Sequence, residues 1–214
     1  MTTPGLSDLE RDTIVRLGRR LSIATLLFNT LEGGVAIVAG LSAGSVALVG
    51  FGVDSGIELA ASGVALWRLG ADSTPAHRAR VERSGHRAIG LLFVALALYI
   101  AYDAGSAIVR RAAPSASRFG IGLAVASLLV MPYLARAKRR VGSALGSRAL
   151  ISESAQTSLC SYLSAILLGG LLSNAFLGWW WADPVAALIM VPIIAREGIG
   201  GLRSAQRCAD GCCS

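Results

Sequence analysis

Charge is what this sequence has least of. Only 15% of its 214 residues are Asp, Glu, Lys or Arg, and 54% are hydrophobic; a soluble domain carries about 25% charged residues. With a mean hydropathy of +0.61, the profile is that of a polytopic membrane protein with no room for a second large domain. Other absences narrow the reading. No Walker A sequence is present, so nothing points to ATP-driven work. No small-residue cleavage site follows the first apolar run. Asp8, Glu10, Arg11, Asp12, Arg16, Arg19 and Arg20 crowd the start, so that run is expected to anchor rather than to be removed. The tail cysteines Cys208, Cys212 and Cys213 contain no Cys-x-x-Cys pair. In a reducing cytoplasm they are not expected to form a disulfide scaffold. They remain either soft-metal thiolates that pass an ion inward or an inert or acylated tail.

What is present is six apolar segments of spanning length, at about 20 residues each: 18–39, 44–68, 87–108, 117–136, 151–173 and 178–196. The fold expected is an all-α, six-helix transmembrane bundle covering 18–197. A tail of 1–17 precedes it, and a short cysteine-containing tail of 198–214 follows. Of the 20 Lys and Arg residues, all but Arg110, Arg111 and Arg118 fall in the tails or in the second-to-third and fourth-to-fifth connections. Cytoplasmic loops collect basic residues, so both termini are expected in the cytoplasm. The net charge of +7 is thus a topology signal rather than a sign of nucleic acid. Trp179, Trp180 and Trp181 fit the outer interface, and Trp67 and Tyr133 the inner one. Asp103 and Asp183 read as interfacial. Gly33, Gly34, Gly50, Gly52, Gly56, Gly169 and Gly170 read as places where helices approach closely.

The segment GSVALVGFGVDSGIELAASGVALWRL (44–69) stands out because it carries two acids, Asp54 and Glu58. At i and i+4 they share one helix face, with Cβ atoms about 5–6 Å apart. An ionised group at mid-bilayer costs about 2.5–3.5 kcal/mol, so the pair needs a partner or a task. Two adjacent acids gain by sharing a proton or a cation. In the first helix Asn29 and Glu32 lie on one face, and no basic residue falls in any predicted interior to neutralise Glu32. In the fifth, Gln156, Cys160 and Ser164 recur every fourth residue, with Glu153 one turn earlier. Asn29, Gln156 and Ser164 suit helix-to-helix hydrogen bonding as well as ligation. Cys160 also suits a small buried apolar position.

Asn29, Glu32, GSVAL (44–48) and Asp54-Ser55-x-x-Glu58 resemble the cation diffusion facilitators. In that family Asp-x-x-x-Asp on the second helix and His- or Asp-x-x-x-Asp on the fifth form a tetrahedral site for a divalent metal, usually zinc. The resemblance places Gln156 and Cys160 at the fifth-helix motif positions, and Ser164 matches a small polar residue one turn later. It implies a metal set of Asp54, Glu58, Gln156 and Cys160, with Asn29, Glu32, Glu153 and Ser164 supporting it or carrying protons. Gln and Cys depart from His or Asp. The family's cytoplasmic metal-binding domain is also missing, so a short branch is expected. The function implied is non-enzymatic: efflux of a divalent cation across the plasma (inner) membrane by a homodimer, by alternating access and in exchange for protons. Zinc leads, cobalt, cadmium, iron and manganese follow, and no permanently bound cofactor is expected. One alternative is a non-transporting membrane protein whose acid pair senses metal or protons, or packs helices. A channel is disfavoured, because a closely ligated ion leaves slowly.

Overall fold

The computed structural model describes residues 8–70, 75–145 and 148–209. They form six helices: α1 (Asp8–Ala43), α2 (Val46–Gly70), α3 (Pro75–Arg110), α4 (Arg118–Leu145), α5 (Arg148–Leu177) and α6 (Ala182–Ala209). The expected all-α class is thus observed, and no strand occurs among the described residues. Helices α1 and α3 through α6 each hold a stretch long and apolar enough to cross a bilayer. Helix α2 has 25 residues, a length of about 37 Å. Both α1 and α3 have 36 residues, about 54 Å at 1.5 Å per residue, against a hydrocarbon core of about 30 Å. The surplus lies at the basic end, where hydropathy falls but helix geometry continues.

The turns after α1, α3 and α5 share one end. Gly44 (φ 67°), Arg111 (φ 52°) and Gly178 (φ 64°) close α1, α3 and α5 in the left-handed conformation, where glycine is the least strained residue. The turns hold one another. The Ser115 amide donates to the Ala43 carbonyl at 2.8 Å, and the Asn174 side chain donates to the Pro114 carbonyl at 2.9 Å. Trp179 and Trp181 stack there with ring centroids 5.0 Å apart.

Asp183 departs from the interfacial reading. It is 1% exposed and sits on the start of α2. Ser45 Oγ donates to its Oδ1 at 2.5 Å, and the amides of Val46 and Ala47 point to its Oδ2 at 3.0 and 3.4 Å. Ser45 Oγ in turn accepts from the Leu48 amide at 3.1 Å. A helix start leaves its first amides without intrahelical acceptors; here Ser45 and an acid from α6 satisfy three of them. Asp103 is only partly buried, and its neighbour is Tyr99, whose hydroxyl donates to Oδ2 at 3.5 Å.

The most extensive packing joins α3 to α6, α4 to α5, and α1 to α2 and α4. The α3–α6 pair is therefore set against a group formed by the other four. Small residues make the closest approaches, as lipid-embedded helices require. A Cβ on Gly52 would lie 2.9 Å from the Ile37 amide of α1, and one on Gly170 would lie 2.6 Å from the Ala186 Cβ of α6. Gly34, Gly56 and Gly169 face open space instead. Of the expected packing glycines, those three make no close contact.

Candidate metal site

The clamp on the first turn of α2 sets the depth of its acids. Asp54 lies about 12 Å and Glu58 about 18 Å from that start, near the middle of a core of about 30 Å. Both are buried, at 3% and 6% exposure. Asn29 of α1 donates from Nδ2 to Glu58 Oε2 at 3.1 Å. Among the described residues Asp54 accepts no hydrogen bond; its charged surroundings are Glu58, Glu32 and Glu197. Asp54 and Glu58 line a cavity of about 10 Å³ together with Gln156 of α5, Glu197 of α6 and apolar side chains of α3, α5 and α6. That is room for one water-sized sphere.

The residues expected to form one site fall into three neighbourhoods. Asp54, Glu58 and Gln156 share the cavity. Cys160 does not line it and stands in an adjoining cluster between α1, α2, α4 and α5. Its thiol donates toward Glu32 Oε2 at 3.7 Å, and its sulfur lies 4.0 Å from Ser127 Oγ. Ser55 donates to the same Glu32 oxygen at 3.2 Å. The Ser164 hydroxyl lies 2.8 Å from that of Ser127 and 2.7 Å from the Cys160 carbonyl, so Ser164 braces this cluster rather than the cavity. Glu32 Oε1 and Asn29 Oδ1 are buried without hydrogen-bond partners. No three His, Cys, Asp or Glu side chains among the described residues already stand close enough to hold one ion.

Glu153 forms the third neighbourhood and is occupied elsewhere. It accepts from Ser22 Oγ at 2.8 Å and pairs with Lys138 Nζ at 3.5 Å. Lys138 corrects the expectation that no basic residue reaches the interior. Because α4 continues to Leu145 rather than ending near 136, Lys138 turns inward and is 1% exposed. Removing one member of a buried ion pair strands the other. Lys138→Met is therefore expected to cost about 3–5 kcal/mol, and adding Glu153→Gln should restore most of it. Thermal unfolding of the three proteins in detergent measures this; a double variant no more stable than Lys138→Met would show that the pair is not the unit that matters.

Glu197 was not foreseen as a site residue. It falls one position past the predicted sixth span, where an acid beside Gly198 looks like part of a solvated tail. The only signal was an acid at helical spacing from the apolar face of the same helix. The expected roles of Cys208, Cys212 and Cys213, and the side chains of Trp67 and of Arg68, Arg78, Arg80 and Arg83, lie outside what the structure describes.

Sequence comparison bears on this arrangement. The signature of the cation efflux transmembrane domain matches residues 22–207. Relatives include an uncharacterized transporter of Methanocaldococcus jannaschii, 26% identical over 180 residues, which covers 81% of this chain and 63% of that protein. An uncharacterized transporter of Synechocystis is 28% identical over 180 residues, 81% of this chain and 58% of its own. Transmembrane protein 163 of Xenopus laevis is 26% identical over 180 residues, with 84% and 63% covered. The chain thus spans about three fifths of the length of these relatives.

Proposed function

This chain belongs to the cation efflux family, and from that premise we propose that it exports a divalent metal cation across a membrane in exchange for protons. The observation that supports this most is the single-ion cavity at mid-helix depth, with Asp54 and Glu58 on one wall and Gln156 on another. A carboxylate binds metal only when deprotonated, so loading the ion releases protons and protonation discharges it. Asn29 holds Glu58 in place through one hydrogen bond, and Asp54 keeps both oxygens available. Zinc is the cargo suggested by the family resemblance, the inner membrane is the location, and a homodimer is the assembly.

Reconstitution into vesicles tests the reading. Purified protein should move a divalent ion across the bilayer, recorded by a trapped metal indicator, with an opposing pH change recorded by a pH dye. Metal binding without flux would favour a membrane sensor and sink the transporter reading. Orientation is tested separately. The basic ends of the helices predict that cysteines introduced at 139 or 140 are shielded from impermeant thiol reagents in intact cells, whereas cysteines at 113 or 116 are labelled. The reverse pattern would invert the topology and leave the site unaffected.

A further inference from the structure

We propose that Glu197 is the ligand contributed by α6, so that the transported ion is held by oxygen donors alone: the carboxylates of Asp54, Glu58 and Glu197 and the carboxamide of Gln156. This rests on the metal-transport reading of the cavity and goes beyond it in naming a third helix, a third acid and the class of cargo. Glu197 is half-buried beneath an apolar helix and lines the same water-sized cavity as the α2 acids. Its basic neighbour Arg196 is exposed, and among the described residues no hydrogen bond draws the Glu197 carboxylate elsewhere. Asp54, buried and free of hydrogen bonds, opens onto the same space. Three acids around a cavity that accepts one small sphere repel each other until a cation enters. Because no three of them already stand close enough to share an ion, binding must draw the carboxylates inward around that space.

Donor chemistry follows from the same geometry. Cys160 turns its sulfur to Glu32 and Ser127 and is absent from the cavity wall. A set of carboxylates and a carbonyl suits manganese and similar oxygen-seeking cations, whereas thiolate selects cadmium and other soft ions. The cargo class is therefore an oxygen-coordinated divalent cation, with manganese accepted and no advantage for cadmium from sulfur.

The test uses the purified full chain in detergent. Manganese(II) chloride is titrated in, and the free ion is counted by its six-line paramagnetic resonance. In parallel, cadmium NMR of cadmium-loaded protein reports whether sulfur ligates. Glu197→Gln is expected to weaken manganese binding by about 10-fold or more, since affinity at such sites follows ligand charge count, with Glu197→Asp in between. Asp54→Asn should do at least as much. Cys160→Ser should change manganese and cadmium affinity by less than about 2-fold, because its sulfur is not a donor. The wild-type cadmium resonance should lie in the range of oxygen-only sites. Normal manganese affinity in Glu197→Gln with loss in Asp54→Asn would overturn the role of Glu197 and leave the metal site of α2 standing. Normal affinity in both would overturn the metal-transport reading itself. If Glu197→Gln aggregates, the wild-type resonance decides: a sulfur-shifted signal overturns the oxygen-only site, and an oxygen-range signal supports it.

Discussion

Asp54→Asn and Glu58→Gln, made singly, should each reduce metal flux into vesicles by about 100-fold or more, to the level of empty liposomes, because each removes an anionic donor that the other groups cannot replace. Both substitutions are isosteric, and both take a charge out of a buried region, so folding should hold. That separates the prediction from a packing effect: loss of flux should come with unchanged expression, helicity and gel-filtration profile. Glu58→Gln also spares a contact. Its carboxylate accepts from Asn29 at 3.1 Å, and a glutamine can still accept through its oxygen, so the hydrogen bond survives while the charge does not. Conversely, Asn29→Asp would place a second acid against Glu58 and should reduce flux for the opposite reason, like-charge repulsion. Full flux in an Asp54→Asn/Glu58→Gln double variant would show that the cavity is not the route.

The second large effect concerns stability. Asp183→Ala should lower the unfolding temperature more than any other single polar-to-alanine change at the short-turn end. It removes the acceptor of a hydroxyl and two amides at the start of α2. At about 1–3 kcal/mol for each of the three donors left buried and unsatisfied, the loss is on the order of 3–9 kcal/mol. Asp183→Asn retains one acceptor oxygen and should cost roughly half as much. Thermal scans in detergent distinguish the outcomes. If the alanine and asparagine variants fall equally, the negative charge at the helix start matters rather than the hydrogen-bond geometry. If neither falls, the turn has another way to satisfy those groups.

The number of helices was legible because lipid-facing composition is a direct record of the solvent. Their ends were not. Hydropathy marks where the bilayer stops, whereas the helices continue about 10 residues further at several ends. Lys138 and Glu197 both fall just past a predicted boundary, at 136 and 196, and both turn out to face the interior. Asp54, Glu58 and Gln156 line one cavity, because an i, i+4 step keeps Asp54 and Glu58 on one face. Cys160 falls outside that cavity for a related geometric reason. Four residues advance the helix by about 40° beyond a full turn, and on α5 that swing carries the side chain from the α6 side to the α1 and α4 side. Asp183 was unreadable, since the amides it serves lie 137 and 136 positions away and an acid at a helix start looks the same whether it faces water or a neighbour.

The closest contact between α3 and α6 bears on how the cavity could open. Added Cβ atoms would meet opposing carbonyl oxygens at 2.8 Å on Gly90 and 2.9 Å on Gly198. With backbones abutting there and the most extensive packing in the fold, α3 and α6 would move as one lever in the proposed transport cycle. Glu197 is the residue next to that fulcrum, while Asp54, Glu58 and Gln156 ride on the opposing four-helix body. On the proposed metal-transport reading, a captured dication would act as a latch between the two bodies, and its departure would leave their acidic faces to repel each other. Gly90→Ala or Gly198→Ala would loosen the lever itself, so such a variant should lose the stroke while keeping every ligand.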